Sequence, residues 1–136
     1  MNTISEAVVE VKDLVKTYGS VKAVDGISLG VARGEVFGML GPNGAGKTTT
    51  VEIIEGLRTA DSGTVRLLGM DVSRDIHILK QRMGVQSQHP ALFPNLTVEE
   101  IINFFRTLYR TSLPASDIIK LAALEESRKI LYRNLS

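Results

Sequence analysis

Eight consecutive residues, 41–48, combine the residue types and the spacing that bind phosphate groups. They read GPNGAGKT, a Gly-x-x-x-x-Gly-Lys-Thr loop. Its glycines let the backbone turn through conformations that other residues resist, so that consecutive N–H groups converge on phosphate oxygens. The Lys47 ammonium can reach the β and γ phosphates, and the Thr48 hydroxyl is placed to ligate the Mg2+ that bridges them. The loop therefore predicts the binding of a nucleoside triphosphate.

The residues on either side of this loop have the patterns of the strand and the helix that the motif requires. Residues 36–40 lack polar side chains, as expected for a strand that is buried on both faces of a parallel sheet. A helix that begins near Lys47 is predicted to continue to residue 57, with apolar residues three or four positions apart. Its N-terminus adds partial positive charge to the loop. This setting disfavours the alternative of a glycine-rich surface turn.

Composition argues against several other classes of protein. The 136 residues fall in the size range of one domain. Sixteen basic and fifteen acidic residues nearly cancel, so no nucleic-acid-binding surface is indicated. The absence of cysteine fits a reducing compartment. No signal peptide is evident, and no apolar stretch reaches the roughly 18 residues that span a bilayer, so membrane association is expected only through a partner.

Periodicity and turn residues predict the remaining elements of the β-rich part. We predict further strands over residues 7–14, 22–31, 64–68 and 85–88. Turns are expected at residues 18–20, 32–35 and 61–63, and a Pro-rich loop at residues 90–94. A short helix is predicted over residues 75–82.

Beyond the Pro-rich loop the signals are helical. Thr97 and Glu100 form a capping box, in which each side chain can bond the backbone N–H of the other residue. A helix is therefore expected from residue 98 to about residue 109. The next proline interrupts it, and Ser116 or Asp117 can cap a following helix. The buried side of that helix is predicted to carry Ile118, Ile119, Leu121, Ala122 and Leu124.

Several of these segments together resemble the nucleotide-binding domain of ATP-binding cassette (ABC) transporters. They are LVKTYG at 14–19, GPNGAGKTT at 41–49, GVQSQHPALFP at 84–94 and the closing Leu-Ser, which is how the family's signature begins. The resemblance implies an α/β fold of the P-loop NTPase type, present in part. It implies a β-rich part with the P-loop strand and helix and the Q-loop over about 1–94, and the start of a helical subdomain over about 95–136.

The resemblance also implies the site and its cofactors, ATP and Mg2+. Tyr18 takes the position of the aromatic residue that stacks on adenine. The alternative is that Tyr18 is only a residue at the rim of the strand turn. Gln88 takes the position of the family's Q-loop glutamine and, with Thr48, would hold the metal; Gln86 is a rival by chemistry alone. The phosphate-binding residues are Gly41, Pro42, Asn43, Gly44, Ala45, Gly46, Lys47, Thr48 and Thr49. The guanine-specifying Asn-Lys-x-Asp of GTPases is lacking.

No catalytic residue can be assigned. The family's remaining signature residues, its metal-binding aspartate, its water-orienting glutamate and its switch histidine have no counterpart in these 136 residues. Neither His77 nor His89 has the context of the switch histidine. We therefore expect ATP binding to exceed ATP hydrolysis, and a strand at 36–40 with open edges to leave the chain poorly soluble or partly molten.

By resemblance, the partners are a transmembrane permease subunit, contacted through the Q-loop region, and a second ATP-binding subunit in the complete protein. The location would be cytoplasmic, on the inner face of the cell membrane. The stretch over residues 56–110 leans toward prokaryotic exporters of drugs or other amphipathic compounds. The alternatives are a non-catalytic nucleotide-binding module, a split domain completed in trans, and a truncated gene product without independent activity.

Overall fold

The computed structural model of the chain describes residues 7–86 and 92–135. The polypeptide divides into two units, residues 1–83 and residues 84–136. No helix within the described ranges is long and apolar enough to cross a membrane.

The first unit is built on an antiparallel sheet whose strands follow the order β2-β1-β3-β4. Its strands are β1 Ala7–Tyr18, β2 Val21–Ala32, β3 Ser62–Leu67 and β4 Met70–Asp71. The predicted hairpin is confirmed, with both strands longer than expected because the turn needs only Gly19 and Ser20. The register of the hairpin shifts at Ala23, since Lys16 pairs with Val24 and Thr17 pairs with Lys22.

Two helices pack on this sheet, α1 Lys47–Ile54 and α2 Val72–Leu79. The turn that ends α1 contains Gly56, where an added Cβ would lie 2.2 Å from the Ile76 Cδ1 atom. A side chain at this position would have to displace the Ile76 side chain, so glycine suits the close approach of this turn to α2. The prediction of a helix over 75–82 was wrong in its bounds, because the Asp71 carboxylate accepts the Ser73 N–H at 2.8 Å and starts α2 earlier.

The core of this unit is formed where α1 and α2 cover one face of the sheet. Val65 and Leu67 of β3 alternate into it, as a period of two requires, whereas in β1 a register shift between Val11 and Leu14 lets both of these residues point inward. The buried residues are Val11, Leu14, Val24, Ile53, Val65, Leu67, Val72 and Leu79. The core therefore joins the hairpin directly to the helix that follows the glycine-rich loop.

The strand predicted at residues 36–40 is not formed. Val36 and Leu40 are 98% and 94% exposed, and these residues pair with none of the four described strands. A strand exists only where a neighbour satisfies its N–H and C=O groups. The apolar pattern predicts a buried segment, but the described residues supply nothing to bury it. Val85 and Gln86, at the start of the predicted strand 85–88, are likewise irregular.

The second unit contains α3 Val98–Arg106, α4 Ala115–Leu121 and a 3-10 helix, Tyr132–Asn134. The capping box is confirmed, since the Glu100 carboxylate accepts the Thr97 N–H at 2.8 Å and the Thr97 hydroxyl accepts the Glu100 N–H. Thr97 also forms a bridge with Leu131.

The bounds of the two longer helices in this unit differ from prediction. Helix α3 ends at Arg106, three residues early, and α4 begins at Ala115 with Pro114 at its cap. Ser116 and Asp117 therefore lie inside the first turn, and the expectation that either caps α4 was wrong. A proline suits the helix start because it needs no N–H partner there.

The predicted buried side of α4 is correct in part. Ile119 is 2% exposed, as expected, whereas Leu121 is 77% exposed. Side chains two positions apart lie on different faces of a helix, so both could not face the same neighbour.

Candidate nucleotide-binding site

The loop over residues 41–46 turns sharply before α1. Gly44 and Gly46 have φ values of 83° and 79°, in the left-handed region that side chains with a Cβ avoid. The Ala45 N–H donates to the Pro42 carbonyl at 3.3 Å and closes the turn. The residues from Gly41 to Ala45 are exposed, so the loop is accessible from solvent.

Lys47, the first residue of α1, reaches back over the loop. Its Nζ atom donates to the Gly41 carbonyl and to the Pro42 carbonyl, both at 2.7 Å. Two neutral carbonyl oxygens hold the ammonium beside the loop. Phosphate oxygens are charged acceptors and form stronger bonds with an ammonium group than neutral carbonyls do. Lys47 is therefore already at the loop when a phosphate group arrives.

The N-terminus of α1 has no protein cap. Its N-cap residue is Gly46, no side chain accepts its N–H groups, and its first turn contains no acidic residue. By contrast, the N-termini of α2 and α3 are capped by Asp71 and Thr97. Unpaired N–H groups and the positive end of the helix dipole suit an anion, so α1 is open to a phosphate where α2 and α3 are closed. Helix α4 also has no side-chain cap, but its first turn contains Asp117.

The three threonines after Lys47 have different environments. Thr48 is exposed in the first turn, Thr49 is half-buried, and Thr50 is fully buried. The Thr50 hydroxyl donates to the Gly46 carbonyl at 2.9 Å and its N–H donates to the same oxygen at 2.8 Å. Sequence reasoning missed this anchoring role of Thr50. The only available signal was its position four residues after Gly46, which allows this side-chain bond to the backbone.

Gly46 also lies directly against β2. A Cβ atom at this residue would be 2.1 Å from the Ala23 carbonyl oxygen and 3.4 Å from the Val24 Cγ2 atom. The shift in strand register at Ala23 thus coincides with the contact that joins the hairpin to the loop. Val24 is 1% exposed and packs in the core.

Tyr18 ends β1 and pairs with Val21 at the closed end of the hairpin. Its side chain is 41% exposed, so one part of the ring remains open to a ligand. The Lys16 Nζ atom and the Arg58 Cζ atom each lie 5.6 Å from the centre of the ring. The same end of the hairpin thus carries Tyr18 and, through Ala23, contacts the loop.

The other predicted metal and glutamine residues are only partly described. Gln88 lies outside the described residues, as does His89, while Gln86 is exposed. His77 is exposed on the last turn of α2. Within the described ranges, no three His, Asp or Glu side chains gather as a metal site would require.

Known proteins are similar to this chain in sequence. The ABC transporter family model matches residues 24–136. The probable multidrug ABC transporter ATP-binding protein YbhF of Escherichia coli K12 is 43% identical over 107 residues, which are 79% of this chain and 18% of that protein. The Nod factor export ATP-binding protein I of Ralstonia nicotianae is 38% identical over 139 residues, covering 97% of this chain and 43% of that protein.

Solved structures show the same fold. An ATP-binding subunit of an ABC transporter superimposes with a TM-score of 0.80 at 26% identity, covering 95% of this chain and 56% of that one. CbiO1 of Clostridium perfringens, part of the ABC transporter complex cbiONQ, gives a TM-score of 0.79 at 26% identity over 96% of this chain and 56% of that one. The chain thus spans less than half of these curated relatives and somewhat more than half of the solved chains. The family match over most of its length shows that it belongs to the ABC transporter ATP-binding proteins.

Proposed function

We propose that this chain is the ATP- and Mg2+-binding part of an ABC transporter ATPase subunit, which in the whole protein energises transport through a membrane permease. One observation carries the proposal. The N-terminus of α1 lacks a protein cap, is entered through left-handed glycines, and has the Lys47 ammonium held beside it. These features leave converging N–H groups and one cation for a triphosphate.

Each part of the ligand has a proposed contact. The triphosphate binds backbone N–H groups within residues 41–49, of which Pro42 has none and Ala45 already donates to Pro42, and the Lys47 ammonium. Adenine stacks on the exposed part of Tyr18. The Thr48 hydroxyl and the Gln88 amide oxygen would hold Mg2+, which neutralises charge on the phosphate oxygens.

We propose no catalytic residue for these 136 residues. Phosphoryl transfer depends on a group that positions the attacking water. No side chain described above occupies such a role, so the chain is expected to bind ATP much better than it hydrolyses it.

The proposed partners are a transmembrane permease subunit, contacted through residues 84–94, and a second ATP-binding subunit. The proposed location is the cytoplasmic face of the cell membrane. The names of two relatives, which refer to multidrug transport and Nod factor export, support an exporter of amphipathic compounds. The same two names support the proposal that residues 56–110 resemble those of exporters.

The exposed apolar segment at 36–40 favours a second candidate, in which the site is completed in trans by another polypeptide. Val36 and Leu40 are almost fully exposed, and a segment of this kind is stable only when another strand pairs with it. Co-expression with a chain that begins at Gly-Gly-Gln, the next residues of the family's signature, tests this form. A soluble stoichiometric complex with ATP hydrolysis would support it, and independent solubility of the two chains without association would exclude it.

The test of the main proposal is isothermal titration of Mg2+-ATP into the chain and its Lys47→Ala variant. A hydrogen bond to a charged group contributes about 1.5–3 kcal/mol, so the variant should lose about 10- to 150-fold in affinity. Lys22→Ala is the matched control, because Lys22 is an exposed lysine paired with Asp25 at 2.9 Å. It should bind as the parent does.

If Lys47→Ala binds Mg2+-ATP as tightly as the parent chain, the phosphate-binding role of the loop is wrong. Steady-state hydrolysis is measured on the same samples. Turnover well above that of the Lys47→Ala variant would show that a catalytic group is present and would contradict the proposal of a binding-only chain.

A further inference from the structure

The segment that follows α1 closes onto the end of β1, immediately before Tyr18. The Asp61 carboxylate accepts the Thr17 N–H at 2.7 Å through one oxygen and the Lys16 Nζ at 2.7 Å through the other. The Asp61 N–H donates to the Val15 carbonyl at 2.9 Å. Asp61 therefore contacts three consecutive residues of β1 that lead to Tyr18.

The hydrogen bonds from Asp61 take the place of backbone pairing at the end of β1, where regular strand pairing stops. The pairing of β1 with β3 ends at Val15 and Ser62, and the pairing of β1 with β2 changes register between Lys16 and Thr17. Without Asp61, the Thr17 N–H would have no acceptor on the β3 side of the strand. The carboxylate thus holds the end of β1 where the regular sheet no longer does.

Arg58 makes a second link from the same segment. Its Nε atom pairs with the Glu52 carboxylate of α1, and its guanidinium lies 5.6 Å from the centre of the Tyr18 ring. The hydrogen bond and charge of Glu52 raise the pKa of Arg58, with smaller contributions from Tyr18. A guanidinium at this distance from an aromatic ring attracts its face. Arg58 therefore connects α1, whose N-terminus faces the loop, to the ring of Tyr18.

The charge of Asp61 persists at neutral pH. The hydrogen bond from Lys16, followed by that from Thr17, lowers the pKa of Asp61 below its ordinary value of 3.8. Both bonds use the ionised carboxylate as acceptor, so the contact is complete under the conditions in which a nucleotide would bind.

We infer that Asp61 and Arg58 are positioning residues for nucleotide binding, which hold Tyr18 at the hairpin end so that a nucleobase can stack on the exposed part of its ring. The inference rests on the proposed function. An exposed ring at a strand end samples many orientations, and fixing it beforehand reduces the entropy lost on binding. The bonds from Asp61 restrain the backbone before Tyr18, and Arg58 restrains the ring.

Two ligands with the same triphosphate group, one with a base and one without, distinguish base binding from phosphate binding. Mg2+-ATP uses the loop and Tyr18, whereas Mg2+-tripolyphosphate uses the loop alone. Titration calorimetry of both ligands on the 136-residue chain and its variants therefore reports base binding as a ratio of two affinities. A general loss of folding lowers both affinities and leaves that ratio unchanged.

We expect Asp61→Ala to weaken Mg2+-ATP by about fivefold or more, because stacking on an aromatic ring contributes substantially to nucleotide affinity. Mg2+-tripolyphosphate should stay within about twofold of the parent value, since the loop is a separate site. Asp61→Asn keeps an oxygen acceptor for the Thr17 N–H and should recover most of the ATP affinity. Glu10→Ala, which breaks a comparable ion pair with Lys12 on β1, is the control and should change neither ligand.

A double-mutant cycle with Tyr18→Ala supplies the second measurement. If Asp61 acts through Tyr18, then Asp61→Ala has no further effect on the affinity ratio once Tyr18 is replaced. Arg58→Met, which keeps the length but removes the charge, should behave in the same way with a smaller effect. Additive losses, or equal losses for the two ligands, would overturn the inference. Failure of the parent chain to bind tripolyphosphate would instead overturn the proposed function.

Discussion

Replacing Gly46 with alanine tests whether the glycine-rich loop must touch the hairpin. A Cβ atom at Gly46 would lie 2.1 Å from the Ala23 carbonyl oxygen, about 1 Å inside the closest approach that side chains tolerate. The residue also has a φ of 79°. Either the loop must move away from β2 or the strand must shift.

Gly44→Ala is the matched control for this variant. Gly44 has a φ of 83°, but an added Cβ there meets nothing within 4 Å. Both variants therefore share the left-handed backbone, which costs about 1–2 kcal/mol for a residue with a Cβ and is offset in part by a stiffer unfolded chain. Only Gly46→Ala adds the steric overlap, for which about 1–3 kcal/mol is typical.

The expected result is that Gly46→Ala lowers the free energy of unfolding by about 1–3 kcal/mol more than Gly44→Ala does. Urea unfolding followed by circular dichroism measures this difference. Titration with Mg2+-tripolyphosphate on the same proteins should show the larger loss of affinity for Gly46→Ala. Equal destabilisation by the two substitutions would refute the claim that contact with Ala23 determines the position of the loop.

Two further predictions concern other parts of the chain. The N–H and hydroxyl bonds from Thr97 lower the pKa of Glu100 from its ordinary value of 4.5. The ionised carboxylate therefore stabilises α3 fully above pH 4.5, and this stabilisation is lost as the pH falls through the lower pKa of the folded state. NMR titration of Glu100 should give a midpoint below 4.5, and the melting temperature of Glu100→Gln should depend less on pH in this range than that of the parent chain. Backbone amides at 36–40 should exchange with deuterium almost without protection while Val11 and Val65 are protected, and protected amides at 36–40 in a cooperatively melting monomer would contradict the exposure of this segment.

The loop and the capping box could be predicted from the sequence because both are local. Gly44, Gly46 and Lys47 act through backbone conformation and reach within a few residues. Thr97 and Glu100 likewise bond each other's N–H groups across one turn. Local structure of this kind can be predicted without knowing the rest of the fold, because the residues that bond each other lie close in the sequence.

The segment at 36–40 shows where such reasoning fails. Its apolar residues predict burial, but strand formation depends on neighbours distant in the sequence. Among the described residues none pairs with it. The predicted starts of α2 and α4 were wrong for a simpler reason. The helices begin after Asp71 and Pro114, and other residues nearby are equally suitable helix starts in the sequence.

The contacts that Asp61 and Arg58 make around Tyr18 could not be foreseen at all, because they join residues 40 or more positions apart. Asp61 lies in a turn that the sequence marks only as a turn, yet its carboxylate completes the bonding of Thr17. Turn residues are exposed and variable in role, so their side chains acquire a function only when the fold brings a strand end beside them. In this chain the turn after α1 does so. Helix α1 therefore has its N-terminus at the phosphate loop, while the turn after its C-terminus holds Tyr18, the residue proposed to bind the base. Substitutions of Asp61 or Arg58 should consequently weaken base binding and leave phosphate binding unchanged.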